Sequence, residues 1–185
     1  MFPNVLEVAR RLIAERVTAG DRAIDATMGN GNDTLFLAQL VGREGTVTAY
    51  DIQPQAIERT KERLEREGVL ERVRIFLASH EEMSKLSEPV GAIMFNLGYL
   101  PGGNKDITTQ AESTLRAIEA GLSLLRPGGI MTIMIYWGHP AGQVEKDAVE
   151  QYCRQLNQSE YLVLKYQYLN QQNQAPFLLA VERRS

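Results

Sequence analysis

Residues 22–34 read RAIDATMGNGNDT, and this stretch decides the fold. A strand over Arg22–Met28 runs into the turn Gly29-Asn30-Gly31, which opens a helix over 33–41 carrying Leu35, Phe36, Leu37 and Leu40. Glycine lets a backbone turn sharply and come close to a ligand. The helix beyond it offers unpaired N–H groups and a positive dipole end. A second strand, Thr46–Ile52, contains Asp51, twenty residues beyond Gly31. That spacing lets an acid on the neighbouring strand tip reach a nucleoside ribose.

Working outward, β-rich runs alternate with helical stretches. Residues 4–18 form an amphipathic helix with Val5, Val8, Leu12, Ile13 and Val17 on one face. Pro54 opens a charged helix that runs to Glu67 and stops at Gly68. Val73–Ala78 and Ala92–Leu97 are the third and fourth strands. A helix over 108–125 ends at Pro127-Gly128-Gly129, Ile130–Trp137 is the fifth strand, and 141–157 is helical. Strands linked by helices are parallel, with right-handed crossovers. Tyr161–Leu169 and Pro176–Glu182 are joined by the polar turn Asn170 to Gln174, and form an antiparallel hairpin. The expected fold is α/β: one Rossmann-like domain over 1–185, with a doubly wound, seven-stranded, mostly parallel sheet and an antiparallel C-terminal hairpin.

Composition sets the outer bounds. The 185 residues are 44% hydrophobic and 23% charged, which excludes disorder and collagen-like structure. With 20 Lys+Arg against 23 Asp+Glu the net charge is −3, so any nucleic-acid contact is local rather than a matter of bulk charge. Cys153 is the one cysteine, and His80 and His139 the two histidines, so neither a disulfide nor a structural metal is expected. The longest apolar run, Ile130 to Trp137, is too short to span a bilayer. The N-terminal stretch carries Glu7 and Glu15 and lacks a signal-peptide layout. A cytoplasmic protein without membrane attachment is the expectation.

The ligand of the glycine loop follows from its acids. A dinucleotide site calls for a small residue three positions after the second glycine, where this chain has Thr34. Asp25 and Asp33 flank the loop and would repel a pyrophosphate, but they suit the ammonium and sulfonium of S-adenosylmethionine. A methyl donor is therefore favoured over NAD. Asp33 is read either as a ligand contact or as a helix N-cap.

The fourth strand ends in Phe95-Asn96-Leu97-Gly98-Tyr99-Leu100-Pro101-Gly102-Gly103-Asn104-Lys105. In open α/β sheets the loops after the strands border the crevice where ligands bind. This loop resembles, in part, the Asn/Asp-Pro-Pro-Tyr loop of amino-group methyltransferases. Ser79-His80 follows the third strand, where an adenine edge would lie. Tyr136-Trp137-Gly138-His139-Pro140-Ala141-Gly142, with Glu145, follows the fifth. Together with Asp25 to Thr34 and Asn96 to Gly103, these segments resemble the class I S-adenosylmethionine-dependent methyltransferases labelled "putative rRNA methylases".

That resemblance implies methylation of the aminomethyl group of a modified wobble uridine in tRNA. It implies a donor site of Gly29, Asn30, Gly31, Asp51 and His80; the residues themselves add Asp25, Thr27, Asn32, Asp33, Ile52, Ser79 and Asn96 as expected donor contacts. Asn96, Tyr99 and His139 are the expected catalytic residues. Leu97, Gly98, Lys105, Tyr136 and Trp137 are the expected substrate contacts, and Tyr99 and Trp137 are the candidates for stacking on splayed anticodon-loop bases. Asn96 and the Leu97 carbonyl would orient the amine, and His139 is the candidate base. Arg10, Arg11 and Arg16 read as a solvated helix face. A second subunit, as a homodimer, would extend the RNA surface. An rRNA base or a small-molecule amine is the alternative acceptor.

Overall fold

The computed structural model describes residues 1–99, 102 and 106–185. Lys105 lies outside the described residues. Helices α1 (Val5–Ala14), α2 (Asn32–Val41), α3 (Pro54–Arg66), α4 (Ala111–Leu124) and α5 (Pro140–Arg154) surround one seven-stranded sheet. Its strands are β1 (Arg22–Asp25), β2 (Thr46–Asp51), β3 (Val73–Leu77), β4 (Val90–Leu97), β5 (Leu125–Ile135), β6 (Tyr161–Tyr166) and β7 (Phe177–Arg183). The order is β3-β2-β1-β4-β5-β7-β6, parallel through β5, with β7 inserted antiparallel between β5 and β6.

Alternation along the central strands builds a core on each face, because successive side chains of a strand point to opposite sides. Ile93, Phe95 and Leu97 of β4 join Met131, Ile133 and Ile135 of β5 and Phe177, Leu179 and Val181 of β7 beneath α4 and α5. Ala92 and Met94 face the other way, toward Ile13 of α1, Leu37 and Ala38 of α2 and Leu64 of α3. Neighbours buried on both sides make β4 continuously apolar, interrupted in its last turn by Asn96.

Several expected boundaries shift: β1 stops at Asp25 rather than Met28, α1 at Ala14 rather than 18, and β6 at Tyr166 rather than Leu169, while β4 starts earlier, at Val90. β5 begins at Leu125, so Pro127-Gly128-Gly129 lies within the strand, where pairing with β4 slips between Val90 and Ala92. A proline is tolerated in a strand at such an irregularity. The strand stops at Ile135, leaving Tyr136 to Gly138 as loop. Helix α4 starts at Ala111 rather than 108, because Thr108 is spent in an antiparallel bridge to Tyr99. The sequence reading also omitted the 3-10 helix His80–Lys85, capped by Ser79, whose side chain accepts from the Glu81 N–H. Among the described residues no helix is long and apolar enough to cross a membrane.

Candidate active site

Parallel strands all end on one edge of the sheet, and that edge holds a cleft of about 690 Å3. Clefts of this size take small ligands and nucleosides. The cleft has two halves that share Asn96 and Asp33.

The first half grows from the loop after β1. Ala26 N–H donates to the Met94 carbonyl (2.8 Å) and Met28 N–H to the Tyr50 carbonyl (2.9 Å), so the loop continues both neighbouring ladders before it turns. Gly29 N–H donates to Asp51 Oδ2 (2.9 Å) and Gln53 N–H to Asp51 Oδ1 (3.0 Å). The Ile52 N–H also bonds this carboxylate, so three backbone donors hold it and a ligand has only the remaining lone-pair capacity to use. Thr60 Oγ1 donates to the Gly29 carbonyl (3.1 Å), Arg63 Nε to the Asn30 carbonyl (2.8 Å) and Arg59 Nη1 to Asn30 Oδ1 (3.0 Å). Glycine is required at position 31: φ is +78° and a Cβ would lie 2.8 Å from Thr60 Oγ1. Thr27, Asn30, Asn32, Ile52, Ser79 and His80 all border this half.

Two titratable groups beneath it are displaced by burial. Asp25 is fully buried; it accepts from Thr34 Oγ1 (2.7 Å) and Thr27 N–H (3.2 Å) and does not border the cleft. Desolvation, reinforced by the Asp33 charge, pushes its carboxyl up to about 7. Asp25 therefore supports the loop from below, whereas the sequence reading put it against the ligand. Thr34 is the hydroxyl that satisfies it. Desolvation pushes the His80 imidazole down to about 4, so it is neutral, set edge-on to Phe95 at 5.6 Å. Burial also raises the Asp51 carboxyl above its ordinary range.

The second half is built from side chains. Asn96 N–H donates to Thr27 Oγ1 (2.6 Å), which ties the end of β4 to the loop after β1. Asn96 Nδ2 donates to Asp33 Oδ2 (2.6 Å), and Asp33 Oδ1 accepts from Arg10 Nη2 (2.8 Å) and Nε (3.1 Å). Gly31 occupies the N-cap of α2, so Asp33 is not the cap; it faces the cleft. Leu97 buries its side chain in the core, and its carbonyl accepts from Tyr136 N–H (3.2 Å). Only the second lone pair of that carbonyl is left for a substrate. Gly98 has φ +146°, and a Cβ there would lie 3.3 Å from Tyr136 Cβ, so glycine lets the two loops touch.

A clasp holds the outer wall. Thr109 N–H donates to the Gly98 carbonyl (3.0 Å), and Gly98 N–H donates back to Thr109 Oγ1 (2.9 Å). Thr109 Oγ1 in turn donates to Glu145 Oε2 (2.7 Å), and Thr114 Oγ1 donates to Oε1 (2.7 Å). Burial raises the Glu145 carboxyl, an effect the two hydroxyls and the nearby His139 oppose. His139 Nε2 lies 3.2 Å from Thr108 Oγ1, and its ring stands edge-on to Tyr99 at 5.9 Å.

The expected acceptor residues therefore separate. Asn96, Leu97, Gly98, Tyr99 and Tyr136 border the cleft, while His139 and Trp137 stand behind it. The Trp137 indole N–H donates to the Ala175 carbonyl (2.9 Å), and Lys146 rests 5.0 Å from its ring. Trp137 is an anchor for the final hairpin. Sequence reasoning missed Leu6, Arg10, Thr108 and Thr109, all of which border the cleft. Nothing local marks Arg10, because its partner Asp33 lies 23 residues further on, at the start of α2. The threonines could have been suspected from two hydroxyls directly before a helix start.

Known proteins share this fold and part of this sequence. Residues 47–182 match the family model described as "Putative rRNA methylase". A tRNA (mnm(5)s(2)U34)-methyltransferase of Arabidopsis thaliana chloroplasts is 41% identical over 175 residues, 89% of this chain. This chain spans 64% of that protein's length. A crystal structure described as a "putative rRNA-methylase" from Clostridium thermocellum superimposes with a TM-score of 0.97 at 40% identity, covering 99% of both chains. A "putative methyltransferase" from Streptococcus mutans, solved in complex with SAH, gives 0.91 at 40% identity, also covering 99% of both. Since the family match takes in β2 through β7 and these relatives superimpose over the glycine loop as well, the chain belongs to the rRNA methylase family and has the Rossmann-like fold of class I methyltransferases.

Proposed function

We propose that the protein is an S-adenosylmethionine-dependent tRNA methyltransferase. Its acceptor would be the aminomethyl group of 5-aminomethyl-(2-thio)uridine at the wobble position, and its product 5-methylaminomethyl-(2-thio)uridine. The observation that carries this reading is the pairing of Asn96 with Asp33 where the two halves of the cleft meet. The carboxylate takes one N–H of the Asn96 amide and fixes how the amide lies, which leaves its oxygen to accept, and an amine N–H is a group that needs such an acceptor. Family membership supports the chemistry, and the Arabidopsis relative supports the substrate class.

The residues of the first half fit the methyl donor. Asp51, beside its backbone donors, keeps lone-pair capacity at the strand tip for a ribose hydroxyl, and its charge gives this half of the cleft a negative lining suited to a cationic ligand. The bound donor supplies a methyl group activated by a positive sulfur; the amine's lone pair forms the new N–C bond as the C–S bond breaks and its electrons stay on sulfur. Asn96 Oδ1 accepts one amine N–H and aims the lone pair. Fixing an approach in this way can contribute ~7–11 kcal/mol. Tyr99 and Tyr136, 40% and 42% exposed, offer rings on which an unstacked anticodon-loop base can lie. His139 acts by holding Tyr99 and Thr108, and the proton released by the methylated amine passes to water. The reading places the chain in the cytoplasm with its tRNA, where a second copy would enlarge the RNA surface.

The test is nucleoside mass spectrometry of tRNA from cells lacking the protein. Accumulation of unmethylated aminomethyl-uridine, reversed by restoring the gene, is the expected result. An unchanged tRNA profile, with methylation lost instead from rRNA or from a small-molecule amine, would overturn it.

A further inference from the structure

We infer that Arg10, on a helix outside the glycine-loop motif, is a positioning residue that neutralises Asp33 and so keeps the acceptor amine uncharged. The inference rests on the amine-methylating reading above. Three observations carry it. Arg10 grips one oxygen of Asp33 with both Nε and Nη2, while the other oxygen holds the Asn96 amide. Asp33 is 7% exposed, so its charge is poorly screened by water. Arg10 is itself held in place, with its guanidinium 5.4 Å from the centre of the Phe36 ring.

The electrostatic need is specific. A primary amine takes a methyl group only through a free lone pair, so the ammonium form is inert. A bare carboxylate within a few ångströms would favour that ammonium. Asp33 is required to orient Asn96, yet its charge opposes the reaction that Asn96 serves. A guanidinium on the far oxygen leaves the hydrogen bond in place and cancels the charge. The other groups facing this part of the cleft do not substitute for it. Asp51 adds negative charge from β2, Asp25 lies buried beneath Asp33 and offers no positive charge, His80 is neutral, and Tyr99 and Tyr136 are phenols. His139 and Glu145 stand behind the wall. Among the described residues that border the cleft, Arg10 is the cation.

The experiment compares wild type, Arg10→Lys and Arg10→Gln. The turnover number is followed against pH at saturating donor and aminomethyl-uridine tRNA, and S-adenosylhomocysteine affinity is measured by calorimetry. For Arg10→Gln the rising limb should move to higher pH by about one unit or more. Arg10→Lys, which keeps the charge but loses the fork, should keep a midpoint near that of wild type with a lower plateau. S-adenosylhomocysteine affinity should stay within about threefold in both. An Arg10→Gln profile with the wild-type midpoint, merely scaled down, would overturn the inference, since a purely structural role moves only the amplitude. So would a tenfold loss of donor affinity without a pH shift, which would make Arg10 a donor contact. A wild-type protein that binds S-adenosylhomocysteine but methylates no such tRNA would instead remove the amine reading, and this inference with it.

Discussion

The two halves of the cleft are held by different means. The donor half is fixed by backbone: ladder bonds from Ala26 and Met28, a glycine N–H on Asp51, and three side chains clamping the carbonyl and amide groups of residues 29 and 30. The acceptor half is fixed by side chains drawn from five helices and loops: Arg10, Asp33, Thr109, His139 and Glu145. Backbone geometry is shared by any sequence that can make the turn. Side-chain clasps can be exchanged one at a time. On the proposed reading, donor binding would rest on backbone geometry and acceptor choice on side chains that can be exchanged individually.

Substitutions can break this division or sharpen it. Asn96→Ala should have the largest effect, lowering the turnover number on the order of 10²-fold by losing the amine's orientation. S-adenosylhomocysteine affinity should change less than about threefold by calorimetry. Loss of donor binding in that variant would show that the halves are not separable. Asp51→Ala should weaken S-adenosylhomocysteine by about 10- to 100-fold, the range for a hydrogen bond to a charged group, with turnover at saturating donor largely kept. Glu145→Gln should raise the tRNA KM about fivefold, equivalent to ~1 kcal/mol, by loosening Thr109 and the wall it carries. A change in donor affinity there would contradict the separation.

A separate readout is stability below the donor half. Asp25 titrates near 7 in the folded chain, above the ~3.9 of an unfolded aspartate, so its contribution is present at low pH and is lost as pH rises toward 7. His80 titrates near 4, below the ~6.5 of an unfolded histidine, so its contribution is present above ~6.5 and is lost as pH falls toward 4. Between about pH 4.5 and 6.5 the two slopes oppose. Asp25→Asn removes the falling one, so its Tm should climb with pH across that window more steeply than the wild-type Tm. Parallel Tm curves for the two proteins would refute this.

What the sequence disclosed follows the same division. The order of elements, the parallel core and the antiparallel hairpin were legible because strand periodicity, crossover handedness and short turns are local rules. Asp51 was legible because its spacing from Gly31 is set by one strand-helix-strand unit. Asn96 and Tyr99 were legible as polar residues at a strand end. Asp25 was misplaced because a residue at a strand tip can face the cleft or lie under it, and only the Thr34 hydroxyl decides which. Arg10 read as a solvated residue, and Trp137 as a stacking platform, because their partners Asp33 and Ala175 are 23 and 38 residues away. Contacts of that range depend on how whole elements pack.

Helix α1, which brings Leu6 and Arg10 to the cleft, packs on β5 and β7. Its flanks are stitched to the far end of the chain: Arg16 to Glu182, and Tyr166 and Tyr168 to the Pro3 carbonyl. Arg16 and Glu182 are 166 residues apart in sequence, so the seat of the Arg10 guanidinium is built from two distant segments. A disturbance at the β7 edge of the sheet can thus reach Asp33 through α1 without passing through the glycine loop.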